Sequence, residues 1–216
     1  MSSLSKSDAR KLARERLRAL SAEEIVEKSA RICAVIAALR EWRDARVVAF
    51  FAAQKSMEPS LETLWKSDAA NIEADDKKNA PQKKTICYPR VNGTELDLIS
   101  VENPDALQTS RWQLREPMHD ETRIISPAQL DVIFVPGLAF SLSVEKRDAE
   151  KNAREKSSRE IIRLGRGGGF YDRLLAHPEL RAKKIGVCFD VQIFPELPRE
   201  PHDCLMNAVI TESGIF

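Results

Sequence analysis

Cysteine is scarce in this sequence and never clustered. Cys33, Cys87, Cys188 and Cys204 lie far apart and form no CxxC pair, so neither a zinc site nor a disulfide framework is indicated. Each reads as a small apolar residue in a reducing compartment. His119, His177 and His202 have no ligand spacing and are assigned no chemistry. No apolar run reaches membrane-spanning length, and the N-terminus lacks the apolar segment of a signal peptide. An excess of one charge is missing as well. Lys and Arg number 34 against 33 Asp and Glu, a formal net charge of +1, which exerts no general pull on nucleic acid or anionic lipid. Any anion site must therefore be local. Glycine is rare too, eight residues in 216, and that scarcity makes its distribution informative.

Four of the eight glycines fall within Arg163-Leu164-Gly165-Arg166-Gly167-Gly168-Gly169-Phe170-Tyr171-Asp172-Arg173. Glycine tolerates positive φ and lets backbone amides approach a ligand closely. Successive N–H groups in such a turn form an anion-holding nest, and a helix starting there adds its positive dipole end. Phe170 to Ala176 offers good helix formers with no breaker before Pro178. Arg163 and Arg166 supply planar forks suited to phosphate oxygens. Asp172 would repel phosphate unless a divalent cation lay between them. The stretch reads as a nucleotide-phosphate cradle with its own metal ligand; the plainer alternative is a glycine-rich turn with charged flanks. It is not a Walker A loop, because no Gly-Lys-Ser/Thr follows. Phe170 stands where the dinucleotide fingerprint has its third glycine.

A hydrophobic share of 43% permits a sizeable core, and the length suits one domain. Ser5 to Leu20 reads as a basic amphipathic helix with Leu4, Leu12, Leu17 and Leu20 on one side. Ser21 and Glu24 form a capping box opening a second helix to about Arg40, with Ile25, Val26, Ile32, Val35, Ile36 and Leu39 apolar. Strands are expected at Val47 to Phe51, Thr85 to Tyr88, Glu95 to Ser100, Asp131 to Val135, Lys184 to Phe189 and Asn207 to Thr211. Helical stretches at Pro59 to Lys66 and Tyr171 to Ala176 fall between some of these. The alternation predicts an α/β fold: an open, mainly parallel sheet flanked by helices, a Rossmann-like three-layer sandwich led by a helical pair. Ligands of such sheets sit beyond the carboxyl ends of strands, where the cradle is expected. Residues 67–84 and 143–159 are polar without apolar period and read as surface insertions in a single domain.

Further motifs stand in order along the chain. Lys6 and Arg10 precede Arg16-Leu17-Arg18, Glu58 precedes Glu62-Thr63-Leu64, and Tyr88-Pro89-Arg90 precedes Trp112 and Glu116-Pro117. Leu130 to Phe140 and the cradle follow, then Gly186 to Gln192, Pro198 and His202-Asp203. Together they resemble the 5-formyltetrahydrofolate cyclo-ligase family, also called methenyltetrahydrofolate synthetases. There are departures. Ser141 stands where the family usually has Asp, the charged stretch intervenes before Arg163, Phe170 replaces a frequent Tyr, and Gly168 replaces Lys of some members.

The resemblance implies ATP-driven closure of 5-formyltetrahydrofolate to 5,10-methenyltetrahydrofolate through a phosphorylated formyl group, with release of ADP and phosphate. It implies that Lys6, Arg10, Arg163, Leu164, Gly165, Arg166, Gly167, Gly168, Gly169, Phe170 and Tyr171 form the ATP site. Arg10, Arg166 and Tyr171 would be catalytic. Met57, Glu58 and Trp112 would join Arg10, Arg166, Gly167 to Gly169 and Phe170 around the folate, with Glu58 accepting from the pterin N–H edge. Asp172 and Asp203 would hold Mg²⁺. The expected protein is a cytoplasmic monomer acting on ATP and a folate, mono- or polyglutamylated, without nucleic acid or membrane. Taken singly, Lys6 and Arg10 are a solvated helix face, Glu58 a helix N-terminal acid, Asp203 a loop carboxylate and Trp112 a packing residue. The rival functions are an inactive nucleotide- or folate-binding protein and a small-molecule kinase using the same cradle.

Overall fold

Residues Val132–Pro136 form a strand buried at every position, and its side chains sort into two cores. Val132 and Phe134 enter one; Ile133 and Val135 enter the other, as the two-residue period of a strand requires. The structure, a computed structural model, describes residues 4–66, 83–110, 114–144 and 159–216. Its strands are β1 (Val47–Ala49), β2 (Thr85–Asn92), β3 (Glu95–Val101), β4 (Gln108–Thr109), β5 (Arg115–Glu116), β6 (Val132–Pro136), β7 (Ala139–Val144), β8 (Arg159–Leu164), β9 (Lys183–Val187), β10 (Ile193–Phe194), β11 (Ala208–Thr211) and β12 (Gly214–Ile215). The large sheet runs β12-β11-β9-β6-β1-β2-β3. Its five inner strands are parallel, and each edge strand is antiparallel.

The mainly parallel α/β architecture agrees with the sequence reading, with differences in detail. β1 stops at Ala49, and Phe50 continues only as far as one hydrogen bond, from its N–H to Cys87 O at 2.9 Å. β2 runs through Pro89 to Asn92 instead of ending at Tyr88. Pro89 is tolerated because β1 pairs with β2 only up to Cys87, so the missing N–H falls beyond the ladder.

One face of the sheet is covered by helices α1 (Lys6–Arg18), α2 (Ala22–Ala38) and α3 (Arg40–Asp44), joined by helix α4 (62–66). Ser5 caps α1 by accepting from the Asp8 N–H, and the Ser21–Glu24 capping box is present on α2. The buried stripe of α1 is Ala9, Ala13 and Leu17; of the expected leucines, Leu17 is buried, Leu12 and Leu20 pack partly buried against the core, and Leu4 is exposed. Val26, counted among the apolar positions of α2, is 70% exposed. The opposite face is covered only partly by helix: α5 (Phe170–Leu175) contributes Leu174 and Leu175, while Phe140 and Ile161 come from a β-arm.

That arm was not legible in sequence. β7 and β8 form an antiparallel hairpin, and β10 adds to β7 in parallel. Residues 143, 144 and 159, expected in an insertion, are paired rungs of the hairpin; residues 145–158 lie outside the described residues, as do 67–82 of the other polar stretch. Lys84 at its end is buried, and its Nζ donates to Arg43 O and Ala45 O. Phe140 anchors the arm between two glycines: a Cβ at Gly137 would come within 2.7 Å of its ring and one at Gly186 within 2.5 Å.

Candidate active site

β1 and β6 are neighbours, and the chain leaves them in opposite directions, β1 toward β2 and β3, β6 toward β9 and β11. The crevice beyond such a pair is the expected ligand position of an open α/β sheet. Two turns meet there. The first follows β1: Met57 and Glu58 donate N–H groups to Gln54 O at 3.1 and 3.2 Å, and Glu58 Oε2 accepts from the Gln54 N–H at 2.9 Å. Ser56 has φ of +66°, the only non-glycine residue of positive φ among those described. The turn aims Glu58, 7% exposed, into the crevice.

The second turn is the cradle. Gly167 and Gly169 have φ of +107° and +71°, which side chains with Cβ rarely adopt. A Cβ at Gly167 would meet nothing nearer than Arg10 at 3.8 Å, so backbone conformation alone requires glycine there. Arg166 reaches across to Glu58, with Nη2 and Nε at 2.7 and 3.3 Å from Oε1, and its Nη1 lies 3.8 Å from Met57 Sδ. Arg163 folds beneath the loop. Its Nη1 donates to Pro136 O at 3.1 Å, its Nη2 meets Asp172 Oδ1 at 2.6 Å, and its guanidinium lies 5.6 Å from the Tyr171 ring centroid. Burial raises the Tyr171 hydroxyl well above its ordinary range, with Glu58 adding to the effect and Arg163 opposing it. The phenol therefore remains a donor.

Helix α1 closes the crevice. Arg10 Nε donates to Gly165 O at 3.0 Å. Lys6 Nζ lies 2.8 and 3.1 Å from the Asp203 carboxylate oxygens and 3.1 Å from Glu200 Oε2. Neither residue belongs to a solvated helix face. Burial alone would lower the Lys6 pKa, but its two carboxylate partners raise it. Burial likewise favours the neutral form of Asp203, and the Lys6 and Glu200 N–H bonds outweigh it, so its pKa is lowered. A cleft of about 180 Å³ results, lined by Glu58, Arg163, Tyr171 and Asp172, by the glycine loop and by the 114–116 segment.

A sequence model of the 5-formyltetrahydrofolate cyclo-ligase family matches residues 2–145 and 158–212 of this chain. The chain belongs to that family. It is a ligase by that membership, and the break in the match falls inside the charged stretch. The cyclo-ligase of Mus musculus is 28% identical over 212 residues, 93% of this chain and 90% of its own. That of Mycolicibacterium smegmatis is 37% identical over 108 residues, 50% of this chain and 47% of its own. Among solved structures, the 5,10-methenyltetrahydrofolate synthetase of Aquifex aeolicus, determined by NMR, has a TM-score of 0.73 and 28% identity, covering 97% of this chain and 91% of that one. The synthetase of Mycoplasma pneumoniae shares the fold at a TM-score of 0.65 and 20% identity, covering 96% and 98%. No helix among the described residues is long and apolar enough to cross a membrane.

Within this cyclo-ligase fold the expected site residues sort unevenly. Glu58, Arg163, Gly165 to Gly169, Phe170, Tyr171 and Asp172 line one cleft, and Arg10 and Met57 touch residues of it. Leu164 is 3% exposed within the core, so only its backbone faces the loop. Trp112 lies outside the described residues. Lys6 and Asp203, expected on phosphate and metal, are bonded to each other. Asp172 and Asp203 each hold a different cation, Arg163 and Lys6. The six-residue α5 adds little dipole, so the cradle rests on its loop and arginines. Ser141 is fully buried in the β-arm, paired with Ile162, so this departure does not touch the cleft. Sequence reasoning missed Gln54, whose turn sets Glu58. It placed Gln192 only as the end of a motif and missed its role: fully buried, its Nε2 donates to Gly137 O and Leu138 O at 2.8 and 3.2 Å. Neither carries a local signal, since both act through backbone groups distant in sequence or hidden in a turn.

Proposed function

We propose that this cleft closes the ring of 5-formyltetrahydrofolate at the expense of ATP. The γ-phosphoryl group passes to the formyl oxygen, N10 attacks the activated carbon, and phosphate departs to leave 5,10-methenyltetrahydrofolate. A formamide is a poor electrophile, and phosphorylation turns its oxygen into a leaving group. Such a transfer asks mainly for positioning and charge neutralisation. The observation that carries the reading is the Glu58–Arg166 contact at 2.7 Å. A carboxylate suited to the pterin N–H edge and a guanidinium suited to phosphate share one bond, so the two substrates' recognition groups already meet. Arg166 would exchange Glu58 for phosphate oxygens as charge moves, and Glu58 would exchange Arg166 for the pterin. Arg10 and the Tyr171 hydroxyl would donate to the same oxygens, while Arg163 braces the loop and adds its charge from beneath.

Among the proposed Mg²⁺ ligands, Asp172 keeps Oδ2 free of hydrogen bonds among the described residues, whereas both oxygens of Asp203 are engaged by Lys6. These hard oxygen donors fit the ion if Lys6 turns to phosphate and frees Asp203. When bound, Mg²⁺ would neutralise phosphate charge. The reading extends to a cytoplasmic monomer acting on mono- or polyglutamylated folate. The test is the near-ultraviolet absorbance of methenyl formation, followed with and without ATP. A stable phosphorylated product without that absorbance would indicate a small-molecule kinase, and neither signal would indicate a binding protein.

A further inference from the structure

The roles above leave Glu116 and Arg90 of the middle motifs without chemistry. A second cavity of about 650 Å³ adjoins the first, and both are lined by Val91, Glu116 and Phe170. These three residues therefore form the neck between them. Glu116 is 6% exposed. Its Oε1 accepts one long hydrogen bond, from the Val91 N–H at 3.3 Å, and its Oε2 accepts none among the described residues. Glu58, by contrast, has both oxygens engaged. Oε2 is not sealed inside the protein, so it opens on the two cavities and is available to a ligand's N–H.

The second cavity combines apolar Phe170 and Met118 with the nitrogen donors Arg90 and His119. Arg90 Nη1 donates to Pro117 O at 2.8 Å, and Arg90 forms no salt bridge among the described residues. His119 has Glu121 at 3.9 Å. The cavity thus offers apolar surface for an aromatic ring and an uncompensated guanidinium for a carboxylate. A 5-formyltetrahydrofolate molecule has the same two-part form, a pterin and a p-aminobenzoylglutamate joined through N10.

We infer that Glu116 accepts the N10–H hydrogen bond and takes that proton during ring closure, with the pterin in the first cavity and the p-aminobenzoylglutamate half in the second. The inference rests on the cyclo-ligase reading above. The N10 lone pair forms the bond to the phosphorylated formyl carbon. The N10–H bonding pair stays on nitrogen as the proton passes to Glu116, and the C–O pair leaves with inorganic phosphate. No oxidant or further reactant is needed.

Glu116→Gln keeps an oxygen for the Val91 N–H and removes the base. In single-turnover experiments it should form ADP at near the wild-type rate but methenyl product about 100-fold more slowly, within the range of general-base effects. A merely structural role would slow both together, and equal slowing of ADP and methenyl overturns the assignment. Arg90→Met is the second arm, informative whatever Glu116→Gln does to folding. It should raise KM for glutamylated 5-formyltetrahydrofolate and leave KM for 5-formyltetrahydropteroate, which lacks the glutamate, unchanged. Equal increases for both overturn the placement of the tail. A wild-type protein that forms no methenyl product with ATP removes the cyclo-ligase reading itself, an outcome distinct from either failure.

Discussion

Between Val132 and Pro136 every side chain is buried and none is charged, whereas Arg163 to Arg173 carries four charged residues, each with a polar partner. In the strand, neighbours in sequence part to opposite cores by simple alternation. Around the crevice, apart from the local Arg163–Asp172 pair, partners come from across the chain: Arg166 finds Glu58 108 positions away, Arg10 finds Gly165 at 155, and Lys6 finds Asp203 at 197. The two regions divide the labour of the molecule. The sheet centre holds the fold through area removed from water, while the rim keeps charge in pairs that substrates can exchange.

The sharpest way to break that division is to remove one residue from each side. Phe134→Ala opens a cavity among Trp42, Phe50 and their neighbours and should cost about 3–5 kcal/mol in urea denaturation. Glu58→Gln keeps an oxygen for the Gln54 N–H and leaves Arg166 partly open to water, so it should cost about 1–2 kcal/mol, less than a fully buried pair broken on one side, yet damage folate binding more than nucleotide binding. If Glu58→Gln unfolds the protein as Phe134→Ala does, the cradle is structural and the division fails.

The junction of the two regions should respond next. Gly186→Ala would force a Cβ to 2.5 Å from Phe140, an overpacking that costs about 1–3 kcal/mol. Because Phe140 anchors the arm that carries Arg163, kcat should fall along with Tm. A lowered Tm with unchanged kcat would show that the arm and the cradle are independent.

A smaller effect is expected within the loop. Gly167→Ala meets Arg10 only in ordinary contact at 3.8 Å but keeps a φ of +107°, so backbone strain of about 1–3 kcal/mol should appear, as weaker nucleotide binding in calorimetry. Gly168→Ala has no such φ and meets Phe170 at 3.0 Å, a ring that can give way. If the two variants bind nucleotide equally well, positive φ is not what the loop requires.

The smallest effect concerns Lys6 and Asp203. The Asp203 pKa is lowered below its ordinary 3.8, so its share of stability is present above that value and lost as pH falls through the lowered one. The Lys6 pKa is raised above its ordinary 10.5, so its share is present below that value and lost as pH rises through the raised one. The Tm difference between wild type and Lys6→Met should therefore be flat between these limits and shrink beyond both. A difference that changes steeply near pH 7 would show that the Lys6–Asp203 pair does not control it.

Much of the fold was legible because its signals are local. The capping box at Ser21 and Glu24, the apolar runs of β1 and β6 and the glycines of the cradle each declare themselves within a few residues. The β-arm was not legible, because its strands flank a charged stretch that hides their pairing, and their rungs join residues as distant as Ala139 and Leu164. Among the site residues, Arg163 and Arg166 were visible as phosphate forks, but their carboxylate partners were not, since an ion pair leaves no periodic trace.

By itself the sequence determined the layers: strand and helix periods follow from local backbone geometry and from which side chains water excludes. It also determined the glycine loop, because positive φ selects glycine wherever it is needed. Only the tertiary structure decided which charge meets which. Coulomb attraction and hydrogen bonding depend on distance in space, and the contacts that bring Glu58 to Arg166 and Glu116 to the neck of two cavities join segments remote in the chain.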